Sequence, residues 1–231
     1  MKAFNLNWTN AMEGGRLIDE KTPFYHFDAD AVWTDHDGMT TLHIVTDPMD
    51  VYHWDGKTYQ TLYATGLMRS VETFGYGTYS AEIKLPKGRN LWPSFWLCGD
   101  GHWPDSGEID VFEGYANAKG SYFRFPLSWA TQTNIHYLAD GKHAEIHPKN
   151  VSWLKQMKNP TENFIKYEVE WRPNAVIFRV NGKVVRTIGW DVTQYFEGKA
   201  MNVILSVKPA SEDFTMDTAM VIKNFKYEEL S

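Results

Sequence analysis

The sequence has 231 residues, a net charge of −6 and no basic run, which argues against nucleic acid or an anionic membrane as partner. Aromatic residues make up 15% of the chain, a high content that suits a well-packed sandwich core. We expect a single domain over residues 1–231, because this length suits one all-β domain and no composition break divides it.

The chain has one cysteine, Cys98, so an internal disulfide is excluded. Cys98 follows three large apolar residues and is interpreted as a small buried hydrophobic residue rather than a nucleophile. Residues 1–8 lack the apolar run of a signal peptide, and no segment approaches the ~20 apolar residues of a membrane span. Either the protein is not exported or a signal has been removed.

Short runs of β-branched and aromatic residues between turn signals predict strands along the chain. In the first half, residues 40–45 read as a strand, and residues 51–63 read as a hairpin around Asp55-Gly56. Residues 79–85 alternate apolar and polar side chains, as in a half-buried strand, and residues 86–88 form a turn. These features predict an all-β sandwich or barrel.

The second half continues the pattern. Residues 167–171 alternate, and residues 176–180 and 183–186 flank Asn181-Gly182, which suits a type I′ hairpin turn. Residues 201–207 and 220–227 read as further strands, and residues 152–158 are the best candidate for a short helix.

Three acidic side chains, Glu108, Asp110 and Glu113, fall within six residues that otherwise read as a buried strand between two glycines. Alternate residues of a strand share a face, so Glu108 and Asp110 point the same way and strict alternation would turn Glu113 to the other side. A β-bulge at residues 111–112 would add one residue, return Glu113 to the face of the other two acids and turn Phe112 away.

Three carboxylates on one strand face repel one another, and at least one pKa should rise. That cost is understandable if one acid must stay protonated while another stays ionised, as in glycoside hydrolysis. The alternative is a solvated acidic strand, which the apolar filler residues and nearby tryptophans disfavour.

Residues 108–113 resemble the Glu-x-Asp-x-x-Glu signature of glycoside hydrolase family 16 in its bulged form. Residues 103–107 resemble the Trp-Pro-x-x-Gly of laminarinase-like members, residues 91–97 their Trp-Pro-Ala-Phe-Trp segment, and residues 76–88 the preceding strand and turn. The family includes laminarinases, mixed-linkage β-glucanases, agarases, porphyranases and carrageenases. The resemblance implies a β-jelly roll of two curved antiparallel sheets with an open substrate cleft on the concave face.

The resemblance further implies that Glu108 is the nucleophile and Glu113 the general acid and then base, with Asp110 sharing a proton with Glu108. Same-face neighbours on a strand are ~6.6 Å apart, and inclined side chains can reach the retaining separation of about 5–5.5 Å. We therefore predict a retaining mechanism through a covalent glycosyl-enzyme.

Tryptophans present flat apolar faces to pyranose rings, and Trp92 and Trp103 are the candidates for sugar stacking. His136 resembles a histidine on the strand beside the catalytic one, where it can hydrogen-bond a carboxylate or a sugar hydroxyl; the alternative for Trp92 and His136 is a structural role. The remaining tryptophans considered are assigned to the core, namely Trp96, Trp153, Trp171 and Trp190.

The sequence departs from the family in two places. Many members bind a structural calcium through an aspartate of the last strand, and Lys223 stands at that position, so we predict no such metal and no cofactor. The Ser-Gly-Arg-Leu of laminarinase-like members reads 65–68 Thr-Gly-Leu-Met, with an arginine displaced to Arg69. This departure leaves the exact substrate open.

The leading hypothesis is an endo-acting retaining hydrolase of β-1,3- or mixed β-1,3/1,4-glucan, a monomer whose partner is a polysaccharide outside the cell, at the cell surface or in the periplasm. The alternatives are an endo-β-galactanase of the agarase, porphyranase, carrageenase or host-glycan type, and a transglycosylase. For the galactanase, Arg69, Arg89 and Arg124 are candidate sulfate ligands. A non-catalytic carbohydrate-binding jelly roll is the remote alternative, because it would not need both Glu108 and Glu113.

Overall fold

The computed structural model describes residues 1–12, 15–16, 24–53, 55–114, 131–146, 149–151 and 158–230. Within these residues the chain is mostly strand. The strands are β1 (Lys2–Ala3), β2 (Leu6–Thr9), β3 (Tyr25–Phe27), β4 (Val32–Thr34), β5 (Thr40–Tyr52), β6 (Thr58–Thr65), β7 (Leu67–Ser70), β8 (Gly77–Lys84), β9 (Leu91–Gly99), β10 (Glu108–Gly114), β11 (Thr131–Ala139), β12 (Lys142–Glu145), β13 (Lys149–Val151), β14 (Ile165–Arg172), β15 (Ala175–Val180), β16 (Lys183–Ile188), β17 (Met201–Pro209) and β18 (Ala219–Glu229).

Helical structure is limited, in the described residues, to a single helical turn, α1 (Trp190–Thr193), and the 3-10 turns Ala29–Ala31 and Gln194–Phe196. The helix predicted at residues 152–158 lies outside the described residues except for its last position. No helix in the described ranges has the length and apolar character needed to cross a bilayer.

The strands form two nine-stranded sheets. The front sheet runs β1-β2-β7-β17-β9-β10-β11-β12, with β13 also paired to β11, and the back sheet runs β16-β15-β14-β8-β18-β5-β6-β3, with β4 paired to β5. All of these pairs are antiparallel except β3 with β6. The predicted all-β jelly-roll sandwich is confirmed.

Both predicted hairpins are present. Asn181 and Gly182 have φ of 49° and 75°, so both central residues are in the left-handed region that a type I′ turn requires. They join β15 to β16 as predicted. The hairpin predicted around Asp55-Gly56 is formed by β5 and β6, whose pairing extends to Tyr52 opposite Thr58.

The main core lies between the two sheets, and aromatic rings meet across it. The Phe112 ring of the front sheet lies 4.3 Å from the Tyr167 ring of the back sheet, and Phe95 lies 6.2 Å from Phe225. Phe112 and Phe95 are fully buried, so β9 and β10 are held rigidly from behind.

A second apolar cluster lies on the other side of the front sheet. Ile204 alternates with Val203 and Leu205, which are in the main core, so its side chain points to the outer face. There it packs with Leu67 under Tyr25 and Phe27 of β3. β3 therefore covers the outer face of the front sheet at β7 and β17. No residue of β10 or β11 belongs to this cluster in the described part of the chain.

Two of the tryptophans assigned to the core have opposite environments. Trp171 is fully buried, as predicted. Trp190 is 52% exposed, so its core assignment was wrong. It is the first residue of α1, where Val192 and Thr193 are the buried residues and the indole is left on the solvent side. Trp153 lies outside the described residues.

Candidate active site

The predicted bulge in β10 is confirmed by the strand register. Asp110 pairs with Trp96 of β9, and the next pair is Phe112 with Phe95, so Val111 is the extra residue. Phe112 consequently points into the core, and Glu113 lies opposite Ser94. The bulge places the three acids on the outer face of the front sheet, which we call the cleft face.

Each glutamate accepts a hydrogen bond from a tryptophan. The indole N–H of Trp103 donates to Glu108 Oε2 at 2.6 Å, and the indole N–H of Trp92 donates to Glu113 Oε1 at 2.9 Å. Such bonds favour the ionised form of a carboxyl and fix its orientation. The structure therefore brings both candidate stacking tryptophans to the acids, although through their N–H groups.

Asp110 is the most buried member of the trio, with 1% of its surface exposed. Its Oδ2 lies 3.3 Å from Nε2 of His136, which stands opposite Glu108 in the β10–β11 pairing. Neither carboxyl oxygen of Asp110 makes a hydrogen bond of good geometry within the described residues. An ionised carboxylate in this environment is costly, so the position favours a protonated acid or a nearby cation.

The electrostatics of the trio follow from this burial. Burial raises the pKa of Asp110 well above its usual range, and the charge of Glu113 raises it further. Burial and the neighbouring Asp110 likewise raise the pKa of Glu108. Burial also raises the pKa of Glu113, against the lowering effects of the Trp92 hydrogen bond and of Lys208. The trio thus binds protons more tightly than free carboxylates, as general acid catalysis requires.

Lys208 of β17 is a residue of the site that sequence reasoning missed. Its Nζ lies 4.5 Å from the Trp92 ring centroid, a cation–π contact that places the ammonium beside Glu113. Lys208 and Trp92 are directly paired across β17 and β9. Only the strand order reveals this proximity, because the two residues are far apart in the sequence.

Two other side chains of β9 lie on the cleft face and not in the main core. Trp96 is partly buried on the cleft face, where it packs against the second apolar cluster and its indole N–H donates to Ser206 Oγ at 3.3 Å, so it lies outside the main core. Alternation explains this, since its neighbours Phe95 and Leu97 fill the core. Cys98, predicted to be a small buried hydrophobic residue, is partly buried on the same face, opposite Glu108, and packs against the second apolar cluster. Burial and the charge of Glu108 raise the pKa of the Cys98 thiol, which disfavours a nucleophilic thiolate.

Of the three arginines predicted as candidate sulfate ligands, one lies on the cleft face. Arg69 lies on the cleft face, where its guanidinium donates to Asn202 Oδ1 at 2.8 Å and pairs with Asp100. Arg89 is exposed and pairs with Asp213 at 2.6 Å. Arg124 lies outside the described residues.

The residues bearing on metal binding are also placed. Lys223 lies 3.4 Å from Glu82 and 4.3 Å from the centroid of the Phe164 ring, so an ammonium occupies the surroundings of that carboxylate. A separate group of possible ligands, His26, Asp28 and Asp47, lies near β3. Asp28 is already engaged there, because its Oδ1 accepts from the Asp30 N–H and its Oδ2 pairs with Arg16.

Comparisons with known proteins place these features in a family. A family model described as glycosyl hydrolases family 16 matches residues 25–226. A beta-glucanase of Rhodothermus marinus is 25% identical over 137 residues, which cover 53% of this chain and 40% of that protein. A glucan endo-1,3-beta-glucosidase of Cryptopygus antarcticus is 27% identical over 128 residues, covering 48% of this chain and 46% of that protein.

Among solved structures, the catalytic domain of an endo-1,3-beta-glucanase (laminarinase) from Thermotoga petrophila RKU-1 superposes with a TM-score of 0.68. It is 16% identical and the match covers 98% of this chain and 100% of that chain, so the likeness is one of fold. The chain spans less than half the length of the two glucanase relatives that it matches in sequence.

Proposed function

The chain belongs to glycosyl hydrolases family 16, and on that basis we propose that it is an endo-acting retaining hydrolase of β-1,3- or mixed β-1,3/1,4-glucan. One observation carries the proposal: the bulge at Val111 turns Glu113 to the same face as Glu108, and each acid accepts an indole N–H. Relatives named as a beta-glucanase and a glucan endo-1,3-beta-glucosidase support the substrate class.

In the proposed mechanism Glu108 attacks the anomeric carbon as a carboxylate while Glu113 protonates the departing glycosidic oxygen. The carbon–oxygen bond of the chain breaks and an ester bond to Glu108 forms. Glu113, now ionised, takes a proton from a water molecule that attacks the same carbon and releases Glu108. Two inversions give net retention. Asp110, buried between the two glutamates, is proposed to hold a proton that limits the charge of the trio.

The substrate-binding roles follow from position. Trp103 is 45% exposed beside Glu108, so its ring is available to a sugar on the nucleophile side. Trp92 lies beside Glu113 with Lys208 over its ring, so its proposed place is on the leaving-group side of the cleft. His136 is proposed to hydrogen-bond Asp110 rather than the sugar. We propose one catalytic domain over residues 1–231, acting as a monomer on polysaccharide outside the cell.

A second candidate is a β-galactanase that cuts charged galactans. The observation that favours it is Lys208 on the cleft face, whose ammonium lies 4.5 Å from the Trp92 ring centroid and beside Glu113. Arg69 adds a second cation on that face, although it already pairs with Asp100. An anionic substituent on the sugar next to Glu113 would find Lys208 available.

The test is a polysaccharide panel of laminarin, barley β-glucan, agarose, porphyran, carrageenan and mucin glycans, with the products sized. We expect laminarin or barley β-glucan to be cut to oligosaccharides, with the newly formed reducing ends appearing as the β-anomer in proton NMR. Products longer than the substrate would instead identify a transglycosylase. First-formed ends of inverted configuration would contradict the mechanism.

The matched variants are Glu113→Gln and Glu212→Gln. Replacing the general acid should lower turnover of a polysaccharide about 10²–10⁴-fold and leave binding intact. Glu212 is exposed and follows the end of β17, outside the paired strands of the cleft face, so its variant should match the parent. A Glu113→Gln protein that binds and cuts like the parent would contradict the assignment. Binding without turnover in the parent would favour the carbohydrate-binding alternative.

A further inference from the structure

A line of polar side chains leads from buried Asp110 to the edge of the front sheet. Asp110 Oδ2 faces His136 Nε2 at 3.3 Å, and His136 Nδ1 lies 3.0 Å from His143 Nε2. His143 is on β12, the last strand of the sheet, and is exposed to solvent. Two imidazoles thus connect the most buried acid of the trio with the surface.

The histidine rings are held in this line by two further polar side chains. The backbone N–H of Ile135 donates to Asn134 Oδ1 at 2.9 Å, which fixes the orientation of that amide. Asn134 Nδ2 consequently donates to Glu145 Oε2 at 2.9 Å and faces His136 Nε2 at 3.1 Å. Glu145 Oε2 also lies 3.5 Å from His136 Nδ1. The His136 ring is therefore contacted at both nitrogens.

The distances constrain where protons lie. Two ring nitrogens 3.0 Å apart form a hydrogen bond only when one of them carries a proton and the other does not. His136 Nε2 lies 3.1 Å from the donor Asn134 Nδ2 and 3.3 Å from Asp110 Oδ2, with which it makes no hydrogen bond of good geometry. The resting proton is therefore on the carboxyl, and the inner transfer needs Asp110 and His136 to turn toward each other. A proton lost at one end can be replaced from the other by shifting each hydrogen bond.

We propose that His136 and His143 form a proton relay between Asp110 and solvent at β12, and that Glu145 is a positioning residue for it. In the outward direction Asp110 Oδ2 gives its proton to His136 Nε2, His136 Nδ1 gives a proton to His143 Nε2, and His143 Nδ1 gives one to water. Each step breaks one bond to hydrogen and forms another, and the reverse sequence recharges Asp110.

The relay rests on the proposed function, because it serves the proton that Asp110 shares with Glu108 during the two displacement steps. A polysaccharide lying along the cleft covers the trio from the front. The relay instead reaches solvent from the side, and the Trp103 ring, 4.7 Å from His143 and 5.8 Å from His136, packs against it. Asp110 can thus exchange its proton while substrate is bound.

The charged and ionisable groups facing His136 come from two elements. From β10 they are Glu108, Asp110 and Glu113, and from β12 they are His143 and Glu145. Burial favours the protonated form of Asp110, which supplies a proton to the inner end. A pH profile of the relay therefore reflects all of these groups together.

The kinetic test uses laminarin as substrate and compares His143→Ala, His143→Phe and His36→Ala. His143→Phe keeps an aromatic ring against Trp103 but carries no proton, while His36 is an exposed turn residue away from the cleft. For both His143 variants we expect kcat to fall on the order of ten-fold with KM within about two-fold of the parent. Added imidazole should restore kcat in His143→Ala but not in His143→Phe.

An unchanged kcat in both His143 variants, or a loss in His143→Ala that imidazole does not restore, would overturn the relay. A second readout needs no substrate: in ¹⁵N NMR of the free protein, His143→Phe should alter the protonation of the His136 ring nitrogens across the pH range. An unaltered His136 titration would also overturn the relay. A parent protein inactive on every polysaccharide would count against the proposed function alone, since the NMR result still decides whether the line of protons exists.

Discussion

At the residue scale, the two glutamates of the trio are distinguished by the indoles that contact them. Trp103 donates to Glu108 and Trp92 donates to Glu113, and in each case the hydrogen bond lowers the pKa of the acid that burial has raised. The proposed roles need opposite charge states, because Glu108 must be ionised and Glu113 protonated when a glycosidic bond is cut. Removing the indole hydrogen bond should therefore shift the acid limb of the pH profile for Glu108 and the basic limb for Glu113.

We predict that Trp103→Phe moves the acid limb of kcat/KM to higher pH by about one unit, because Glu108 without its donor stays protonated further up the pH scale. Trp92→Phe should instead move the basic limb to higher pH by a similar amount, because Glu113 then keeps its proton longer. The first variant narrows the active range and the second widens it. Initial rates on laminarin across the pH range provide the measurement.

Each tryptophan variant is the other's control, since both replace an indole by a phenyl ring on the same face of the sheet. If both variants shift the same limb, the assignment of nucleophile and acid to Glu108 and Glu113 is incorrect. A shared loss of rate without any displacement of either limb would mean that the rings act only as sugar platforms.

At the element scale, the residue just before β10 is a glycine with no room for a side chain. Gly107 has φ of +82°, and a Cβ built on it would lie 2.6 Å from Cε1 of Phe196, a fully buried ring. Gly141, in the turn between β11 and β12, has a similar φ of +72° but nothing within 4 Å of its Cβ position. The two glycines separate the cost of a left-handed backbone from the cost of overpacking.

We predict that Gly141→Ala destabilises the fold by about 1–2 kcal/mol, the cost of the left-handed conformation alone. Gly107→Ala should cost a further 1–3 kcal/mol or so, because Phe196 must also move away from the new methyl group. Urea denaturation of the two variants beside the parent measures both values. Equal losses would show that the Phe196 ring yields without strain and that the start of β10 tolerates a side chain.

The sequence was sufficient to predict the bulge in β10 but not the contents of the face around it. The bulge follows from local information, because only an extra residue puts all three acids on one face of the strand and turns Phe112 to the other face. Lys208 reaches Trp92 because β17 is inserted beside β9, and His143 reaches His136 because β12 folds back on β11. Such contacts depend on strand order and register, which residue spacing does not encode.

At the scale of the whole molecule, the sandwich was predictable because alternation recurs in strand after strand and the Asn181-Gly182 turn has a defined geometry. The wrong predictions concern Trp190, whose environment strand alternation does not decide, and Trp96, whose outward direction follows from alternation. Trp190 is apolar but begins a short helix at an end of the sandwich, and Trp96 lies between two core residues and must face outward. Aromatic character alone thus does not separate core from cleft.

The trio also makes the stability of the whole fold depend on pH. The folded-state pKa of Asp110 is raised above its unfolded value of about 3.9, so the folded protein binds the more protons between these two values. Stability contributed by this group is therefore fully present below about pH 4 and is lost as pH rises through the raised pKa. Above that pKa, the fold carries the full cost of a buried carboxylate.

We predict that Asp110→Asn stabilises the protein by about 2 kcal/mol at pH 8, equivalent to a Tm increase of about 4–8 °C, and has little effect at pH 3–4. The amide has nearly the shape of the acid and cannot ionise, so the difference between the two melting curves isolates this one group from all other titrations. Asp37→Asn, at an exposed turn, should leave Tm nearly unchanged throughout. The stabilised variant should be a poorer enzyme, because an amide cannot take up and release the proton that the proposed mechanism assigns to Asp110. A Tm difference that is equal at pH 4 and pH 8 would mean that the pKa of Asp110 is the same in the folded and unfolded states, which would contradict the upward shift.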